Sequence, residues 1–179
     1  MDSFETIALG GVNGLGDKLV AEGKYAIIFD KTGNAGTFFN YSAAYHEMHK
    51  EVLKVAKGDQ TDDDVGEKMR SHLVHAVGHG TTLVFDFKKV NATVLGKQPA
   101  GNVWPADKIF DFAEWRKEDN HMSIVKDGEN KDMMGNAGQY VLNPKFNMFI
   151  LADYQSDEEC QALLNIIPHS ANMKKYIIQ

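Results

Sequence analysis

Residues 25–38 read YAIIFDKTGNAGTF, and their chemical character changes twice along the way. The apolar run at residues 25–29 is bounded by polar and turn residues, which is typical of a strand buried on both faces. The glycine-punctuated turn at residues 30–36 follows it. Aromatic side chains then recur at three- to four-residue spacing and predict a helix over residues 37–54. This order of strand, turn and helix predicts an α/β architecture.

The same pattern returns further along the chain. Apolar runs at residues 81–87, 146–151 and 176–178 predict three more buried strands, and residues 52–55 are a candidate for another. Helices are predicted over residues 65–77, 106–115 and 157–167, the first of them after an acidic loop at residues 59–64. Buried strands that alternate with helices favour a layered fold with a mainly parallel, five-stranded sheet. We predict one α/β domain over residues 25–179, preceded by a glycine-rich extension at residues 1–24.

Composition narrows the classes of function. The 179 residues include 19 basic and 25 acidic side chains, a net charge of −6, which disfavours a nucleic-acid binder. No apolar run approaches the roughly 20 residues of a membrane span. The start of the chain lacks the pattern of a secretory signal, and a single cysteine, Cys160, excludes an internal disulfide. These features predict a cytoplasmic protein.

The turn after the first strand invites comparison with a phosphate-binding loop. Such loops read G-x-x-x-x-G-K-[ST], with a lysine for the phosphates and a hydroxyl for Mg²⁺. Aligned on residues 31–38, the chain keeps the second glycine as Gly36. It has Lys31 at the first glycine, Thr37 at the lysine and Phe38 at the hydroxyl. A tight strand-to-helix turn without a ligand is the alternative interpretation.

A second acid stands at the end of a predicted strand. Asp86 lies near the end of the run at residues 81–87, where a P-loop enzyme places the acid that holds Mg²⁺ through water. Phe87 stands where a hydrolase of the AAA+ kind has its glutamate. An ordinary loop-facing carboxylate is the alternative.

Three stretches, taken in order, resemble the fifth AAA+ module of dynein heavy chains. Residues 26–38 resemble its opening strand and turn, residues 73–86 the helix and strand that follow, and residues 143–151 the lead into its sensor strand. The chain is also similar to the module at the end of ciliary proteins that carry IQ and ankyrin repeats. The resemblance covers residues 24–179 and implies a P-loop (AAA+-like) three-layer fold. Because the chain ends near the last predicted strand, the helical lid subdomain is expected to be absent.

The resemblance also implies a function. In that family the module is a structural element with a degenerate site. It therefore implies a non-enzymatic structural or adaptor subunit of a ciliary, axonemal or other cytoskeletal assembly, whose partners are other protein subunits and which needs no cofactor. The alternative is a domain that binds ATP or ADP weakly, without efficient hydrolysis, through vestigial positions at Lys31, Gly33, Gly36, Thr37 and Asp86, where Lys31 replaces the lost cation. A small-molecule enzyme that uses Asp30 and Asp86 is a third possibility.

Two further groups of side chains are candidates for a protein interface and for a metal site. Aromatic residues in the irregular middle are predicted to anchor a protein interface, with core packing as the alternative: Trp104, Phe110, Phe112 and Trp115. His72, His75 and His79 share one helix face, which we expect to be packed or solvated rather than to bind a metal.

Overall fold

The computed structural model describes residues 3–179, and strands alternate with helices along them. The strands are β1 (Glu5–Ile7), β2 (Ala26–Asp30), β3 (Ala44–His46), β4 (Thr82–Asp86), β5 (Asn147–Asp153) and β6 (Lys174–Ile178). The α-helices are α1 (Leu15–Glu22), α2 (Ala35–Ser42), α3 (Met48–Lys57), α4 (Asp62–His79), α5 (Ala106–Ile109), α6 (Phe112–Trp115), α7 (Glu118–Met122) and α8 (Asp157–Ile166). Short 3-10 turns lie at Leu9–Val12, Thr93–Gly96, Ala100–Asn102 and Ser170–Asn172.

All the strands form one sheet, in the order β1-β6-β2-β5-β4-β3, and every neighbouring pair is parallel. The predicted α/β architecture with a parallel sheet is therefore confirmed. The sheet has six strands rather than the predicted five. The additional strand is β1, which pairs with β6 at the sheet edge. The glycine-rich extension thus contributes to the sheet, and its helix α1 packs on the sheet through Leu15 and Leu19.

The strand at the opposite edge lies at a different place from the one expected. The predicted helix over residues 37–54 is divided into α2, β3 and α3, and residues 52–55 belong to α3. Met48, Val52 and Val55 are four and three residues apart, which places them on one helix face that packs on the core. The sequence pattern did not indicate the short β3, because Tyr45 continues the three- to four-residue spacing that predicted a helix there.

Both faces of the sheet are covered, as a parallel sheet requires. Alternate residues of each strand point to opposite faces, so Ile27 and Phe29 lie on one face and Ile28 on the other. The first face packs against α3, α4, α8 and the long segment between β4 and β5. The second face packs against α1 and α2.

Local signals in the sequence account for the helix ends. Thr61 and Asp64 form a capping box at the start of α4, and the acidic residues that were expected in a loop before the helix, Asp62 to Asp64, form its first turn. Ser156 caps α8, and Gly80 ends α4 in the left-handed conformation. The predicted helix over residues 106–115 is divided into α5 and α6, because the Asp111 side chain caps a new helix there. Within residues 3–179, no helix has the length and apolar character needed to cross a bilayer.

Candidate functional site

The carboxyl ends of three neighbouring strands, β2, β5 and β4, form the candidate site. Each strand ends on an aspartate: Asp30, Asp153 and Asp86 respectively. The chain leaves β2 toward α2 on one face of the sheet and leaves β5 toward α8 on the other. Ligands of open parallel sheets bind where neighbouring connections leave in opposite directions. We call these strand ends and the turns that follow them the carboxyl edge.

The Asp30 carboxylate accepts hydrogen bonds from the turn that follows β2. Its Oδ1 accepts hydrogen bonds from the Thr32 N–H at 2.8 Å and the Thr32 hydroxyl at 2.7 Å. Its Oδ2 accepts from the N–H of Ala35, the first residue of α2, at 2.9 Å. The N-terminus of a helix attracts anions through its free N–H groups and its dipole. In this turn the anion is a side chain of the protein itself.

Asp86 is fully buried and bonded through both carboxylate oxygens. Oδ1 accepts from the Lys88 N–H at 3.0 Å. Oδ2 accepts from the Tyr45 hydroxyl and lies 3.3 Å from Lys88 Nζ. Burial and the bond to Asp86 raise the pKa of Tyr45, which keeps the hydroxyl protonated as a donor. Asp86, which was predicted to correspond to the metal-holding acid of P-loop enzymes, is bonded here to two side chains.

Lys88 supplies the cation of this site, and sequence reasoning did not identify it. Its φ is +53°, a left-handed conformation that is uncommon outside glycine. Its carbonyl accepts from the Asp153 N–H at 2.9 Å, which holds the turn to β5. A Cβ on Gly36 would lie 2.8 Å from Lys88 Nζ, so glycine leaves the room that the ammonium group occupies.

The other predicted phosphate-loop residues lie apart from this cluster. Lys31 was expected to replace the missing cation, but its Nζ lies 4.1 Å from the centre of the Tyr154 ring, in a cation–π contact. Gly33 and Thr37 are exposed on the turn and on the first turn of α2. Of the predicted positions, the structure brings only Gly36 and Asp86 together.

A cleft of about 330 Å³ opens beside Asp153, between α8 and the loop after β4. Burial is the main cause that raises the pKa of Asp153; the carboxylates of Asp86 and Asp30 add to it, and Lys88 opposes it. The buried Cys160 lines the same cleft. Burial raises the pKa of the Cys160 thiol to about 11, and such a thiol is a poor nucleophile at neutral pH.

Metal ligands are not grouped anywhere in residues 3–179: no three histidine, cysteine or acidic side chains are placed to hold an ion together. The three histidines of α4 take part in two ring pairs, one of which includes a histidine of β3. His75 stacks on His79, and His72 stacks on His46 of β3, each with ring centres 4.1 Å apart. On this helix face the histidine rings therefore pack against other histidine rings.

The predicted interface aromatics need a correction. Trp104, Phe110 and Trp115 are buried in the core on the face of α4 and α8, so they are not accessible to a partner. Trp104 donates its indole N–H to the Leu95 carbonyl at 2.9 Å. Phe112 is half-buried and packs against Tyr25. Core packing, the alternative, explains three of the four, because the irregular middle folds over the sheet.

Exposed apolar side chains occur elsewhere, at positions that sequence reasoning missed. Met133, Met134 and Val141 lie in a polar, glycine-containing segment and are largely exposed. The signal that would have identified them is a pair of adjacent methionines with no amphipathic pattern to bury them.

Comparison with known proteins gave no match to this chain among family models, curated proteins or solved structures.

Proposed function

We propose that this chain is a non-catalytic structural or adaptor subunit of a larger protein assembly, built on a degenerate P-loop (AAA+-like) domain. One observation carries the proposal: two of the three aspartates of the carboxyl edge, Asp30 and Asp86, are bonded to groups of the protein itself. Asp30 lies against the N-terminus of α2, and Asp86 binds Tyr45 and Lys88. The turn after β2 and the acid of β4, where a P-loop domain would hold phosphate and Mg²⁺, are thus bonded within the protein.

A phosphate group at this turn would meet a negative charge. It would have to displace the Asp30 carboxylate from Thr32 and Ala35, or approach it as a like charge. The lysine and the hydroxyl that favour phosphate and Mg²⁺ are replaced by Thr37 and Phe38. Each of these differences disfavours nucleotide binding.

The fold supports the proposal at a coarser level. The strand that precedes the turn, β2, is central in a parallel sheet, and the acid-bearing β4 is separated from it by one strand. A domain that has the parallel sheet, and whose site is filled by its own hydrogen bonds, is suited to a structural role. The ciliary or cytoskeletal setting rests on the sequence resemblance alone.

Nucleotide titration tests the proposal. The melting temperature of the purified chain is measured with ATP, ADP, GTP and GDP, with and without Mg²⁺, and we expect no upward shift. A ligand at a hundred times its Kd stabilises a folded protein by about 2.7 kcal/mol. That corresponds to roughly 5–11 °C for a domain of this size, and such a shift would contradict the proposal.

Weak nucleotide binding remains the second candidate, and Lys88 is the observation in its favour. Its ammonium group lies beside Gly36 at the start of α2, where it could meet a phosphate. If a nucleotide does stabilise the chain, Lys88→Ala should abolish the shift and the exposed Lys31→Ala should not. In that case Asp30→Asn, which removes the competing charge, should enlarge the shift.

A further inference from the structure

The stretch at residues 133–141 carries an unusual share of exposed apolar surface. Five large hydrophobic side chains are exposed in the described chain, and three of them are Met133, Met134 and Val141. Met133 is fully exposed, Met134 is 88% exposed and Val141 is 71% exposed. Single exposed hydrophobics are ordinary, but neighbouring ones mark interaction sites.

The methionines stand on a hairpin that its own hydrogen bonds hold in place. We call residues 131–137 the Met hairpin; Lys131 and Ala137 form its antiparallel bridge. The Asp132 carboxylate accepts from the backbone N–H groups of Met134 and Asn136, each at 2.9 Å. It also accepts from the Asn136 amide at 2.8 Å. A loop ordered before binding loses less entropy when a partner docks, so the exposed methionines are held ready for contact.

A groove lies beside the hairpin base, against α4. Its volume is about 520 Å³, and its walls include Val74, His75, His79, Lys131, Tyr140 and Val141. The Tyr140 hydroxyl donates to the Val74 carbonyl at 2.7 Å, which fixes one wall to the helix. Hairpin and groove together offer an apolar projection next to a concave surface.

The free charge of this groove is positive, on a chain whose net charge is −6. Lys131 makes no ion pair with any described residue. Glu129 also lines the groove, but its carboxylate is bonded to the buried Arg70 at 2.8 and 2.9 Å. A carboxylate on a partner would therefore find an uncompensated lysine here.

We propose that the Met hairpin and this groove dock a segment of a partner protein that presents large apolar side chains next to a carboxylate. This inference rests on the proposed adaptor function and specifies the surface and the chemistry of the partner. Methionine suits the task because its flexible, polarizable side chain adapts to varied apolar surfaces.

The test is selection of phage-displayed random peptides on the intact full-length chain. Three forms are panned in parallel: the wild type, Met133→Ser/Met134→Ser, and a control with serine at two exposed apolar residues elsewhere, Tyr41→Ser/Leu53→Ser. We expect the wild type and the control to select a shared motif of large apolar and acidic residues. The hairpin variant should not select it. An unchanged melting temperature of the hairpin variant shows that it is folded.

A binding measurement then tests the charge. The selected peptide, made with a fluorescent label, should bind Lys131→Glu at least roughly tenfold more weakly than the wild type. Selection of no shared motif, of a basic motif, or of the same motif by the hairpin variant would overturn the inference. Nucleotide titration is independent of this result: a chain that binds no nucleotide and selects no peptide would still be consistent with an adaptor that uses another surface.

Discussion

The carboxyl edge and the Met hairpin belong to the same parallel α/β domain, but they differ in what their side chains contact. Asp86 of the carboxyl edge is buried among protein groups, whereas Met133 and Met134 of the hairpin are exposed to solvent. At the carboxyl edge, the buried Asp86 meets donors from β3 and from the loop after β4, namely Tyr45 and Lys88. At the Met hairpin, Asp132 and Asn136 order the backbone, while Met133 and Met134 contact solvent.

This difference suggests that the carboxyl edge serves stability and that the hairpin serves contact with a partner. A buried polar cluster whose members are bonded to one another stabilises the fold and leaves little free for a ligand. An ordered loop with exposed methionines contributes little to folding and leaves its surface free for a partner. We therefore expect substitutions at the carboxyl edge to change stability, and substitutions at the hairpin to leave stability unchanged.

The largest expected effect is at Asp86. Asp86→Ala leaves Tyr45 and Lys88 without their acceptor in a buried position, and loss of one partner of a buried pair costs about 3–5 kcal/mol. Because the Lys88 side chain is 33% exposed and can turn to water, we expect the lower end, about 3 kcal/mol. That is a fall in melting temperature of roughly 6–12 °C, measured by calorimetry.

Asp59 offers the matched control for that change. Asp59 is exposed and its side chain makes none of the described hydrogen bonds or ion pairs. Asp59→Ala should therefore change stability by less than about 0.5 kcal/mol. Equal effects of the two substitutions would show that the carboxyl edge does not support the fold.

His46, at the end of the neighbouring strand β3, makes the stability of the fold depend on pH. Its ring is buried at the end of β3 against His72 and Phe85, with Glu47, Glu51 and Lys68 as the other charges around it. Burial, and secondarily the His72 charge, lower the pKa of His46 from 6.5 to about 4. The unfolded chain therefore takes up the proton first as the pH falls. The stabilisation is complete above pH 6.5 and is lost as the pH falls toward about 4.

Urea unfolding measures this loss. Since one pKa unit corresponds to 1.36 kcal/mol, lowering the pH from neutral to about 5 should remove about 2 kcal/mol through His46 alone. Carboxylates also titrate at low pH, so the comparison is with His46→Gln, which lacks the titrating ring. The stability of the variant should fall by about 2 kcal/mol less over the same range. Parallel profiles for the two proteins would place the imidazole in water and contradict its burial.

The sequence predicts the centre of this fold better than its edges. The strands β2, β4, β5 and β6 are continuous apolar runs, because a parallel strand is buried on both faces. The edge strands β1 and β3 have three residues each, too few to show a pattern. Each of them is held by hydrogen bonds to one neighbouring strand, β6 or β4, and this pairing is not visible in the local sequence.

The same limit applies to the site. Gly36 and Asp86 could be predicted, because strand ends and turns determine where they lie. Lys88 could not, because its amine reaches Asp86 through a left-handed backbone conformation that the sequence does not specify. Trp104 and Trp115 look like interface residues in an irregular segment, but the way that segment folds over the sheet buries them.

The smallest expected effect on stability is at the hairpin, and it sharpens the contrast most. Met133→Ser/Met134→Ser removes two side chains that are already in water, so the free energy of unfolding should change by less than about 0.5 kcal/mol. Asp132→Ala is the matched test of the hairpin itself, because it removes the acceptor that orders the turn while leaving both methionines in place. It too should leave global unfolding nearly unchanged, but hydrogen exchange of the Asn136 N–H should become faster. If the methionine variant instead unfolds as readily as Asp86→Ala, these side chains are buried in solution, and the hairpin belongs to the core rather than to a docking surface.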